Sequence, residues 1–111
     1  MNFTPIDLEQ WTRREHFEHY LTRVPCTYSA TFTLDITRLR AGGKKFYPAM
    51  LHHIAAVVNA HREFRMALDE TGRPGFYDVV HPCYTVFHED SQTFSNLWTG
   101  YDPSFEAFLA A

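Results

Sequence analysis

Two periodicities divide the chain. From Asp7 the pattern is helical: Asp7 can cap, and Gln10 three residues on can reach back to it. Phe17, Tyr20, Leu21 and Val24 then fall at i, i+3, i+4 and i+7, opposite a charged face of Arg13, Arg14, Glu15 and Glu18. This predicts a helix through Trp11 to about Leu21, stopped by Pro25. Over residues 28–36 the period drops to two. Tyr28, Ala30, Phe32, Leu34 and Ile36 alternate with Ser29, Thr31, Thr33 and Asp35, which predicts a strand with one buried face. A short helix is expected at 37–40, ended by Ala41-Gly42-Gly43.

Tyr47-Pro48 opens the next helix, with proline suited to a first turn. Met50, Leu51, Ile54, Val57 and Val58 recur at helical spacing among several alanines, so this helix is expected to be buried on several sides. Four short strands follow, at 65–68, 76–80, 83–88 and 92–98. A turn at 69–75 divides the first two and Glu89-Asp90-Ser91 the last two. Asp102-Pro103 starts a final helix, with Phe105, Phe108 and Leu109 on its apolar face. The apolar pattern runs up to Ala111, which implies a polypeptide that continues.

Composition narrows the class. The 111 residues suit a single compact domain, and 16% aromatic content opposes disorder. A net charge of −3, with dispersed Lys and Arg, leaves no footprint for nucleic acid. No apolar run spans a bilayer and the first residues lack an export signal, so a cytoplasmic location is expected. Cys26 and Cys83 are then expected to be free thiols, read most simply as small core residues.

Candidate chemistry is sparse. His16 and His19 share a helix face and His52-His53 are adjacent, but neither pair brings the third ligand that zinc needs, so no metal is expected. Neither a nucleophile elbow nor a glycine-rich phosphate loop occurs. One hairpin face is more informative. Alternation puts Cys83, Thr85 and Phe87 on one side of the first strand, and Phe94, Asn96 and Trp98 on one side of the second. Thiol, hydroxyl, amide and aromatics together suit a mixed-polarity ligand pocket; the plain alternative is the wet side of a hairpin.

Longer motifs carry more. Trp11-Thr12-Arg13-Arg14-Glu15-His16-Phe17-Glu18, Leu34-Asp35-Ile36-Thr37, Lys45-Phe46-Tyr47-Pro48, Glu63-Phe64-Arg65-Met66-Ala67, the run from His81 to Glu89 and Thr93-Phe94-Ser95-Asn96-Leu97-Trp98 stand in order along the chain. Together they resemble the N-terminal half of the classical trimeric chloramphenicol acetyltransferases.

The resemblance implies an α/β (α+β) two-layer sandwich with a mixed, mostly antiparallel sheet. It implies acetyl transfer from acetyl-CoA to a hydroxyl of chloramphenicol, hence antibiotic resistance, by a homo-oligomer. It also implies that residues 1–111 form one domain, the N-terminal half of a subunit. On that family's pattern, His19, Tyr20, Val24, Cys83, Thr85, Phe94 and Asn96 line the acceptor pocket. His19 stands where the family usually has an apolar residue, and Asn96 where it has a small one. Arg13 matches an arginine that pairs with an aspartate of the family motif His-His-x-x-x-Asp-Gly, which holds the catalytic base. That motif is absent from these 111 residues, as is the family's oxyanion serine. Two functions are therefore expected to compete: the acceptor-binding side of an acetyltransferase, and a truncated, non-catalytic module that binds a ligand or itself.

Overall fold

The computed structural model describes Met1–Ala111. Its order is β1 (Phe3–Pro5), α1 (Arg14–Glu18), a π-helical turn (His19–Arg23), α2 (Thr37–Ala41), α3 (Phe46–Ala60), a 3-10 turn (Arg62–Arg65), β2 (Met66–Leu68), β3 (Pro74–Tyr77), β4 (Cys83–His88), β5 (Thr93–Trp98) and α4 (Phe105–Ala110). The strands form two antiparallel sheets, a three-stranded one in the order β1-β3-β2 and the β4-β5 hairpin. The class is thus α+β, as the sequence implied, with every strand pair antiparallel.

Local chemistry explains most boundaries. Pro48 is the third residue of α3, where a backbone N–H would have no intrahelical acceptor, so its absence costs nothing. Ser104 caps α4, its hydroxyl accepting from the Ala107 N–H at 3.4 Å. The β2–β3 turn closes on Asp69. One of its oxygens accepts from the Thr71 N–H, the Thr71 hydroxyl and the Arg73 N–H, while Gly72 takes the positive φ of 81°. Gly75 makes the small sheet possible. A Cβ there would overlap the Phe3 ring and the Thr4 carbonyl, so β1 can lie against β3 only over a bare backbone. The sequence did not mark β1, a three-residue strand without alternation.

Four expectations need correction. Residues 28–36 form no strand; all but Ile36 are exposed and none pairs with another strand. The first helix does not begin at Asp7. That carboxylate instead accepts from the Glu9 N–H in a tight turn, and the helix starts at Arg14. α3 buries Ala49, His52 and Ala55 along one side only, with Ile54 and Val57 more than half exposed. Cys26 and Cys83 are both free but exposed, so neither is a core residue.

The expected compactness also fails. Only six residues are buried, and the radius of gyration is 17.8 Å against about 13 Å for a compact chain of this length. What core exists sits where α4 crosses α3. There the buried His52 ring contacts Phe108, Phe105 and Tyr101, and its Nε2 lies 3.0 Å from the Asp102 carbonyl oxygen.

Candidate functional site

The hairpin confirms the face that alternation placed. Cys83 pairs with Trp98, Thr85 with Asn96 and Phe87 with Phe94. All six side chains therefore point the same way, because cross-strand partners share a face. All six residues are exposed.

On the opposite face Tyr84, His88 and Ser95 are half-buried, while Val86, Thr93 and Leu97 are exposed. Tyr84 packs edge-on against Tyr47 of α3, with ring centroids 6.0 Å apart, and its hydroxyl bonds Thr99 at 2.9 Å. On the same side His88 Nε2 meets the Ser95 hydroxyl at 2.8 Å. A hollow of about 310 Å³ remains between this face and the two helices, lined by Tyr47, Leu51, Tyr84, Leu97 and Phe108 among others. So α3 and α4 back the hairpin, and Cys83, Thr85, Phe94 and Asn96 look away from them.

Two clamps that the sequence reading did not single out fix the approach to the hairpin. Asn59, near the end of α3, donates to the Val80 carbonyl and accepts from the Val80 N–H, both at 2.9 Å. From the other side, Arg65 Nη1 donates to the carbonyls of Tyr77 and Asp78, each at 2.6 Å, while its buried Nε has no partner. Asp78 also receives the Asn2 backbone N–H at 2.7 Å, which with the Val79 N–H and the Asn2 amide holds its carboxyl below the usual carboxylate range. At the far end the His81 ring stacks on Trp98 at 5.9 Å, and its Nδ1 accepts from the Tyr101 N–H. Asn59 could have been noticed, as an amide on an otherwise apolar helix. Arg65 gave no signal, because its partners are backbone carbonyls.

A hollow of about 550 Å³ opens at the base of the hairpin. Met1, Tyr77, Val80, His81, Cys83 and Trp98 line it. Its walls are largely apolar, with a thiol and an imidazole set among aromatics, which suits a partly aromatic ligand with few polar groups.

The remaining predicted residues lie elsewhere. His19 and Tyr20 border a polar hollow of about 470 Å³ together with Glu15, His16, Glu18 and Arg23. They sit on the π-helical turn, where one extra residue per hydrogen-bonded ring displaces side chains from the α1 stripe. Val24 is 52% exposed just after it. Arg13 makes no ion pair and lines a shallow groove with Trp11, Phe17, Tyr20, Leu21 and Met66. Arg14 carries the ion pairs instead, to Glu9 and Glu18, and these raise its pKa. None of the principal hollows is lined by both groups. His19 and Tyr20 on the one hand, and Cys83 on the hairpin on the other, thus border different hollows. No three His, Cys, Asp or Glu side chains converge as a metal site would require, and no helix is long and apolar enough to cross a membrane.

The fold and site define an α+β chain whose helix-backed hairpin offers one aromatic and polar face. Over residues 1–111 the sequence matches the model of the chloramphenicol acetyltransferase family, and the chain belongs to that family. It is 49% identical over 109 residues to the chloramphenicol acetyltransferase of Campylobacter coli, covering 98% of this chain and 53% of that protein. It is 51% identical over 110 residues to one from Clostridium perfringens, covering 99% and 53%. A solved chloramphenicol acetyltransferase superposes with a TM-score of 0.74 at 21% identity, over 96% of this chain and 52% of that one, which establishes the likeness of fold. The chain spans about half the length of the curated relatives it matches.

Proposed function

We propose that this chain supplies the acceptor-binding side of a chloramphenicol O-acetyltransferase. In that enzyme acetyl-CoA is the co-substrate, a primary hydroxyl of chloramphenicol is the acceptor, and the outcome is antibiotic resistance. The observation that carries this reading is the hairpin face. Cys83, Thr85, Phe94 and Asn96 form one exposed surface whose back is fixed to α3, in a chain whose relatives carry that name. Phe94 offers a flat apolar contact, Thr85 a hydroxyl and Asn96 an amide that donates and accepts. His19, Tyr20 and Val24 form the second wall. The separation of the two walls in one chain favours a homo-oligomer of the family's trimeric kind, in which a pocket closes between subunits. The setting is the cytoplasm.

Transfer itself needs a general base within hydrogen-bond reach of the acceptor hydroxyl. No histidine of this chain stands on the Thr85 face: His88 lies on the opposite face bonded to Ser95, and His81 is engaged by Tyr101 and Trp98. A second reading, a non-catalytic module that binds an amphiphilic ligand or itself, draws on this observation.

One assay separates the two. The 111-residue chain is incubated with acetyl-CoA and chloramphenicol, and release of the CoA thiol is followed. It is then repeated with a polypeptide matching the second half of the relatives, which bears the His-His-x-x-x-Asp-Gly motif. Release only in the mixture, abolished by Thr85→Val or Phe94→Ala, is the expected result. Chloramphenicol binding without release in either arm would replace the enzyme reading with the module.

A further inference from the structure

The Cys83–Trp98 end of the hairpin face is built differently from the rest. Trp98 is 70% exposed, yet one side of its indole lies on the His81 ring, 5.9 Å away and tilted by 30°. His81 is itself held, its Nδ1 accepting from the Tyr101 N–H at 2.9 Å. The hollow of about 550 Å³ beside Trp98 is braced in the same way. Asn59 grips both backbone groups of Val80 in its wall. Asn2, bonded to the Asp78 carboxylate through its backbone N–H and its side-chain amide, brings Met1 to the rim. At the opposite end of the face Phe87 and Phe94 are 58% and 64% exposed, and neither stacks on another ring. An aromatic surface that is already ordered loses less entropy when a ligand covers it.

Resting on the acceptor-binding reading above, we infer that Trp98 is a specificity-determining residue of that face, and that it takes the aromatic ring of the acceptor on its exposed indole, at the mouth of the hollow. Trp98 is the cross-strand partner of Cys83, and one row further on Asn96 is the partner of Thr85, so the ring site and the polar site share a face. Successive rows on one face are two residues apart, about 7 Å. In chloramphenicol a three-carbon chain carries the primary hydroxyl away from the nitrophenyl ring, and when extended it covers a similar length. A ring on Trp98 therefore leaves the hydroxyl beside Thr85 and Asn96, two exposed polar side chains. The nitrophenyl ring is electron-poor and the indole electron-rich, so an offset stack between them is favourable. The hollow has room for the ring, since its volume lies within the range of small-molecule sites.

Equilibrium dialysis against two ligands tests this, on the 111-residue chain with and without the second-half polypeptide. One ligand is chloramphenicol. The other is the dichloroacetamide of serinol, which keeps the hydroxyls and lacks the ring. Trp98→Ala should weaken chloramphenicol about two- to tenfold and leave the ringless compound unchanged. Trp98→Phe, which keeps a flat ring, should recover most of the loss. A second measurement leaves position 98 untouched. In a Trp11→Phe background Trp98 is the sole indole, and chloramphenicol should quench it where the ringless compound does not. Chloramphenicol binding that Thr85→Val weakens and Trp98→Ala does not, an equal loss of both ligands in Trp98→Ala, or bound chloramphenicol without quenching would each overturn the inference and leave the acceptor reading standing. Binding of neither ligand in either arm would overturn that reading, and this inference with it.

Discussion

Residues 28–36 and the β4–β5 hairpin carry the same signal and meet different fates. Both are rich in aromatic and threonine side chains, and the earlier run alternates apolar with polar residues more regularly than either hairpin strand. The hairpin pairs along its whole length, from Cys83↔Trp98 to His88↔Thr93, whereas the earlier run finds no strand at all. Distance along the chain separates them. The hairpin partner returns after a four-residue loop, and Gln92 accepts a φ of 53° to close it. The earlier run is bounded by Pro25 and by α2, and the next strand, β2, begins only at Met66. Closing that longer loop has to be repaid by pairing, and β2, at three residues, offers only a short ladder. Alternation therefore encodes two faces. Pairing is a property of two segments, and only one of these runs has its partner nearby.

A proline scan breaks the comparison most sharply. Between Tyr84 and Phe87, prolines at alternate positions each remove a ladder hydrogen bond and should lower the thermal melting midpoint. Between residues 28 and 33 no intrachain bond is lost, so thermal melts of dilute protein should not fall. A fall in stability on the 28–33 side would mean that the run pairs within the chain after all.

Aromatic truncation gives the next contrast. Tyr84→Ala removes the edge contact to Tyr47 and the bond to Thr99, and should cost about 3 kcal/mol in urea denaturation. Phe32→Ala should fall within about 0.5 kcal/mol of the parent. Asn59→Ala sits below Tyr84→Ala in size. It leaves both polar groups of Val80 without their partner in a half-buried site, at about 1–3 kcal/mol. Faster amide exchange at Val80, ahead of exchange in α3, is the measurement that isolates this clamp from general loosening.

These contrasts show what could be read from sequence. The faces of the hairpin strands were legible because period two over Cys83–His88 and Thr93–Trp98 fixes which side chains share a face, whereas the register was not, since the loop is one residue longer than the Glu89-Asp90-Ser91 turn. The helix from Phe46 to Ala60 was legible through its apolar recurrence and Pro48. β1 was not, since its place depends on the bare backbone of Gly75, seventy residues away in sequence from Pro5. Nor was the exposure of Cys26, Ile54 or Val57, because burial depends on what the chain meets and not on the side chain's own preference. Of the candidate site, the hairpin face emerged from spacing, whereas the role of His19, Tyr20 and Val24 came only through resemblance. His19 and Tyr20 border hollows that no hairpin residue lines.

The smallest effect compares the two aspartates that end these regions. Asp35 closes the unpaired run, its Oδ1 accepting from the Thr37 hydroxyl at 2.6 Å and the Thr37 N–H at 2.9 Å. Asp69 closes the paired β2–β3 turn with the same two bonds from Thr71, and adds the Arg73 N–H and guanidinium. The Thr37 hydroxyl, then its N–H, holds the Asp35 carboxyl below its ordinary value of 3.8; the Thr71 hydroxyl, with the Arg73 N–H, holds Asp69 lower still. A depressed carboxyl pKa stabilises the fold above the ordinary value and loses that contribution as pH falls through the depressed one. Acidification should therefore release Asp35 first. Carboxyl carbon shifts followed by NMR should titrate at Asp35 before Asp69, with the start of α2 losing exchange protection while the β2–β3 turn keeps its own. The reverse order would mean that the bonds at Asp35 are stronger than the free end they terminate suggests, and that residues 28–36 are held in place by more than Thr37.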